Sequence, residues 1–189
     1  MFSRILIKLI DQAIVPAILL LAARILSVLL ITKYVGLEFS VERTSLNYSS
    51  MGDYALVNSY SLLFMVIVLA IGLFYIILKA YVFHESHIAP AVTARLFSFG
   101  IPSFIQSSFD LYTQGTIWLS YAYLLMFVTG VMALYSLVYP FVFFVAAALT
   151  VVATVLLVID IEQEMSVAKT KDPVLDNDTR FVNMEVEVE

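Results

Sequence analysis

The stretch Thr116–Ile159, TIWLSYAYLLMFVTGVMALYSLVYPFVFFVAAALTVVATVLLVI, carries no charged residue over 44 positions (116 to 159). About 20 apolar residues in a helix cross the hydrocarbon of a bilayer, so a run of this length reads as two spans. It divides at Tyr135-Ser136-Leu137-Val138-Tyr139-Pro140. Proline withholds a backbone donor there, and two tyrosines suit a membrane interface. The result is a helix over about 116–135, a tight turn, and a helix over about 139–159.

Outward from this pair, two more apolar runs at about 13–32 and 56–78 are long enough to span. Composition agrees, because the chain is 62% hydrophobic and 13% charged. Ordinary soluble domains are about half apolar and a quarter charged, and folding in water could not hide this excess. Arg4 and Lys8 precede the first run, which exceeds the core of a cleaved leader and lacks a good small-x-small site, so it reads as an uncleaved signal anchor. Phe2, Ile5, Leu6, Leu9 and Ile10 share a helical face ahead of it, suggesting a short amphipathic lead-in that lies on the leaflet before the chain turns down near Pro16.

The segment 92–112 is ambiguous by hydropathy and ordered by period. Leu96, Phe97, Ile101, Phe104, Ile105 and Phe109 recur at three- and four-residue steps, with Arg95, Ser98, Ser103, Gln106, Ser107 and Asp110 mainly between them. That pattern predicts an interfacial amphipathic helix. Basic residues decide the count. Four spans put Arg4, Lys8, Lys79, Arg95, Lys169, Lys171 and Arg180 on one side, against Lys33 and Arg43 on the other, whereas a fifth span would reverse the bias.

The expectation is therefore an all-α membrane protein. Residues 1–160 form a four-helix transmembrane bundle with an interfacial helix, and 161–189 form a disordered, acidic, cytoplasmic tail. Both termini lie inside, in the plasma membrane of a prokaryote. From Asp160 onward nine acidic and three basic residues give a charge of minus six, and an anionic leaflet repels such a tail. The external loop from Lys33 to Tyr54 is too short for a domain of its own.

Small residues mark faces where helices approach closely. Ala146, Thr150 and Thr154, with Ala147 and Ala153 beside them, form such a stripe on the last span, and Ala13, Ala17, Ala23 and Ser27 repeat the spacing on the first.

Polar groups in expensive places are the candidate site residues. Arg24 lies near the middle of the first span, where a guanidinium costs roughly 3 kcal/mol on insertion scales. No carboxylate lies within the other three spans as drawn, and Asp11 is about 20 Å away along the helix. Three readings stay open: neutral partners inside the bundle, namely hydroxyls, Asn58 or backbone carbonyls; a carboxylate from a partner chain; or a water-filled cavity in which Arg24 meets an anion. His84 and His87 flank Glu85 at a spacing one residue short of HExxH, so a metal site is not expected, and Asp110 and the histidines remain candidate polar groups.

Without a cysteine, a phosphate loop, a GxSxG elbow or a paired intramembrane aspartate, no catalytic set and no cofactor is expected. At the end of the tail Met184, Val186 and Val188 alternate with glutamates. Together with Phe181 they form a candidate docking segment that could add a strand to a partner sheet. These features point to a non-enzymatic membrane subunit or scaffold that docks partners through its bundle and its tail. The alternative is a small-solute transporter or channel with Arg24 in a polar cavity. The partners expected are the lipid bilayer and other proteins, or further copies of this chain, and no nucleic acid.

Overall fold

The computed structural model describes residues 2–37, 39–42, 45–83, 98–99 and 108–171. Four long helices, α1 (Phe2–Val35), α2 (Met51–Phe83), α3 (Ser108–Leu134) and α4 (Pro140–Lys171), are joined between α1 and α2 by a hairpin of β1 (Phe39–Glu42) and β2 (Ser45–Tyr48). Each helix contains a segment long and apolar enough to cross a membrane: Ile10–Val35, Met51–Tyr81, Asp110–Leu134 and Pro140–Gln163. The expected four helices are present in the expected order, each longer than its apolar run.

Local chemistry sets the helix ends. Gly36, at φ +71°, lets Leu37 N–H donate back to the Thr32 carbonyl at 3.0 Å, closing α1 with a left-handed residue. The end of α3 repeats the device with a serine: Ser136 has φ +57°, its N–H donates to Ala133 O, and Leu137 N–H donates to Met132 O. Pro140 then opens α4 at the position where a missing N–H matters least. At the start of α2, Ser50 Oγ accepts from Asp53 N–H at 3.1 Å and donates to the Asp53 carboxylate at 2.8 Å, a reciprocal cap.

Three expectations are revised. The amphipathic lead-in and the first span form one uninterrupted helix that carries Pro16 inside it, because flanking turns and a fully buried ring hold the proline in place. Ser108–Tyr112, assigned by period to the surface helix, belongs instead to the first turns of α3. Of the remainder of 92–112 only Ser98 and Phe99, both exposed, are described. The loop between α1 and α2 holds an antiparallel ladder from Phe39–Tyr48 to Glu42–Ser45. Helix α4 continues past residue 160 into the start of the acidic segment and runs on to Lys171.

Helix α2 is central and packs against α1, α3 and α4, while α1 reaches α2 and α3. The shared core comprises Leu62, Val66, Leu69 and Leu73 of α2 with Leu20, Ala122, Leu125, Val142, Ala146 and Ala153. Close approach depends on the small residues. Ala146, Thr150 and Ala153 are buried on α4, as are Ala23 and Ser27 on α1. Thr150 Oγ1 turns its hydrogen back to the Ala146 carbonyl and leaves a smooth surface. The Trp118 ring lies directly over Gly72, so a Cβ there would penetrate the indole. Outward-facing side chains are apolar all round the bundle, with Phe127 68% and Phe144 66% exposed. A surface of that kind suits hydrocarbon and is foreign to water.

Candidate functional site

Arg24 stands on the face of α1 turned to α2. Seven residues beyond the start of α2, the chain presents Asn58-Ser59-Tyr60-Ser61, and Asn58, Ser59 and Ser61 are all buried. The guanidinium reaches across the seam. Its Nη1 donates to the Asn58 carbonyl at 3.3 Å and to Ser61 Oγ, and its Nη2 donates to Asn58 Oδ1. Ser61 Oγ donates in turn to the same Asn58 carbonyl at 3.1 Å. Within this chain the partners of Arg24 are neutral oxygens, with Asn58 supplying both a side-chain and a main-chain oxygen.

Towards the hairpin the polar seam continues. Ser27 Oγ donates to the Arg24 carbonyl at 3.0 Å, and the buried Thr32 hydroxyl lies 3.5 Å from Tyr48 OH, whose ring meets the Tyr54 ring edge-on. Beside it, Ser59 Oγ donates to Ala55 O at 2.6 Å and accepts from Tyr139 N–H at 2.8 Å. A side chain of α2 thereby satisfies an orphan donor where α4 begins. Away from the hairpin, Tyr121 OH donates to the Ala13 carbonyl at 3.0 Å. Pro16 has already removed the donor that would have served the neighbouring Gln12 carbonyl, which makes this turn of α1 a natural place for an outside donor.

A balance of donors and acceptors around Arg24 does not close. A guanidinium offers five N–H bonds and a carboxamide two, and none accepts in return. Among the described residues every partner of Arg24 is a neutral oxygen, and Asn58 Nδ2 is buried without an acceptor. The cluster therefore holds an uncompensated positive charge and an excess of hydrogen-bond donors. It also borders a cavity of about 410 Å³, open at its side, between α1, α2 and α3. Leu20, Leu21, Leu62, Leu124 and Val128 line it, and among the described residues Arg24 is the only charged one on its wall.

The other candidates lie apart from this cluster. Asp110 is half-buried in the first turn of α3, at the end of the bundle away from the hairpin. His84, His87, Phe181, Met184, Val186 and Val188 lie outside the described residues. Among the described residues no group of three His, Cys, Asp or Glu side chains could hold a metal ion.

Two ionisable residues that nothing in the sequence pattern marks as buried lie at Asp110's end. Lys79 on α2, with its Nζ 5.8 Å from the centre of the Tyr75 ring, and Asp160 on α4 are both buried. They follow by one turn the layer in which Gly115 meets Leu157 and Ile76. Their positions at the edges of apolar runs looked solvated, and only the lengthening of α2 and α4 brings them inside. Ser61 and Ser59 were also unmarked, since a serine in an apolar run gives no signal of which neighbour it faces. No protein-family model, curated protein or solved structure matches this chain.

Proposed function

We propose that this chain is a non-enzymatic, multi-pass subunit or scaffold of a larger membrane assembly, set in the plasma membrane of a prokaryote with both termini cytoplasmic. The observation that carries the reading is the Arg24 cluster: a charge held by neutral oxygens within an apolar span, on the wall of a side-open groove. An intramembrane ionisable group is costly, and a cost retained without internal neutralisation points to use between chains. The acidic end of the chain, with Phe181, Met184, Val186 and Val188, would provide a second docking element on the cytoplasmic side.

Mild detergent extraction of the full chain tests this reading. Stoichiometric companion proteins are expected, and loss of residues 181–189 should release at least one of them while the bundle stays folded. A chain that purifies alone and in one copy would overturn it. Topology is checked separately by labelling single introduced cysteines in this cysteine-free protein: position 34 should react from outside intact cells and position 176 should not.

The second reading, a small-solute transporter or channel, draws on the same cavity, since Arg24 does border it. Among the described residues the remainder of the wall is apolar apart from the Tyr121 hydroxyl, which suits side chains better than a hydrated ion. Anion flux through liposomes containing the purified chain, abolished by Arg24→Leu, would favour the transporter over the subunit.

A further inference from the structure

We propose that the groove between α1 and α3 is the seat of a transmembrane helix from a different protein, one that carries a single Asp or Glu at mid-membrane depth to pair with Arg24. The inference deepens the subunit reading and rests on it.

Charge complementarity is the first argument. Arg24 keeps N–H bonds that no described side chain fills, and Asn58 Nδ2, on a residue only 6% exposed, is a buried donor without an acceptor. Both deficits have the same sign: the cluster lacks acceptors and lacks negative charge. Of the two residues only Arg24 is on the groove wall, and a carboxylate there supplies it with acceptors and negative charge through two oxygens that match a guanidinium edge.

Depth selects the source of that carboxylate. Within Ile10–Val35, Arg24 lies 14 residues from one end and 11 from the other, or about 21 and 16 Å along the axis. Lipid phosphates and fatty-acid carboxylates reside at the interface, roughly 15 Å from the bilayer centre. A helix can present a carboxylate at any depth by its register. The groove also opens sideways through Leu21, Leu124 and Val128, all of them exposed on the outer face of the bundle, so an occupant arrives laterally.

A second copy of this chain does not fit. Its helical carboxylates Asp11, Asp53, Asp110, Asp160 and Glu162 all fall within the first or last few positions of the apolar spans Ile10–Val35, Met51–Tyr81, Asp110–Leu134 and Pro140–Gln163, and Glu164 falls just beyond the last of them. Asp53 is already bound to Ser50 at the start of α2, and Asn58 lies more than a turn further on.

The test uses defined probes: a synthetic Leu/Ala transmembrane peptide with Asp, Asn or Leu at its centre. The full chain, labelled at Tyr34→Cys, and the acceptor-labelled peptide are reconstituted in phosphatidylcholine vesicles, and energy transfer reports association. The Asp peptide should bind about tenfold more tightly than the Asn peptide, the size of a strong interhelical polar contact. Arg24→Leu should erase that difference. Leu124→Trp, which fills the groove and leaves the Arg24 hydrogen bonds in place, should weaken the Asp peptide as well. Equal binding of Asp and Asn peptides overturns the proposal, as does a preference that survives Arg24→Leu. Displacement of the Asp peptide by one equivalent of oleate would assign the groove to an acyl carboxylate, and self-association that excludes the peptide would assign it to a second copy. Each of these is contrary to the proposal. A stoichiometric native partner with no acidic residue in its spans would overturn this inference while leaving the subunit reading intact.

Discussion

The α1–α2 seam and the α3–α4 seam solve the same packing problem with opposite chemistry. Between α3 and α4 Phe143 lies against Gly130 and Thr150 turns its hydroxyl back on its own helix, while the polar contact across the seam among the described residues is a neutral hydroxyl pair, Tyr123 OH and Thr154 Oγ1 at 3.0 Å. Between α1 and α2 the contact contains a guanidinium bonded across the interface to the Asn58 carboxamide and carbonyl and to the buried Ser61 hydroxyl. Small residues and neutral hydroxyls bring one pair of helices together, so close approach does not in itself require a charge. On the subunit proposal, the charge serves association with a partner and not folding of the bundle.

If that contrast is right, the partners of the charge should matter more to stability than the charge itself. Asn58→Leu removes the oxygen facing Nη2 and strands a buried cation. We expect the largest loss here, about 3 kcal/mol, measured by reversible unfolding in bicelles. The effect should vanish in the Asn58→Leu/Arg24→Leu pair. Persistence of the loss in the double variant would mean that Asn58 acts by packing.

The next test exploits the apolar contact between α2 and α3. Gly72→Ala drives a Cβ into Trp118 and should cost about 1–3 kcal/mol, relieved by adding Trp118→Leu. An unchanged unfolding midpoint for Gly72→Ala would show that the indole can move aside freely. A smaller loss, about 1 kcal/mol, is expected for Ser59→Ala, which leaves Tyr139 N–H without its acceptor at the start of α4. The α3–α4 turn should give a gain instead: Ser136→Gly removes a left-handed serine and should stabilise by about 0.5–1 kcal/mol.

Period and length made the four spans legible, because each apolar run is bounded by charge or by proline and the proline break at 140 is unambiguous. The small-residue stripes on α1 and α4 were legible for the same reason, as a spacing of four repeats along one face. The hairpin was not. Its four-residue strands are too short for alternation to stand out, and the link from Glu42 to Ser45 lacks the Asn-Gly or Asp-Gly pair that announces a two-residue turn.

Arg24 could be singled out from its cost alone, and Asn58 was a possible partner among several. Which hydroxyl would join them depends on the rotation of α2 about its axis, a quantity that a nearly uniform apolar helix does not encode. The Trp118–Gly72 contact is hidden in the same way, since a lone glycine in a span does not say which neighbour needs the room.

The measurement that bears most directly on the account is the unfolding free energy of Arg24→Leu in a bilayer mimic, set against the wild-type chain. Replacing a buried charge by an apolar group of similar size is often neutral or stabilising when the charge serves no folding purpose. The account predicts a variant at least as stable as wild type, together with loss of the Asp-helix preference. A drop approaching 3 kcal/mol would contradict it and would make Arg24 a structural tie between α1 and α2.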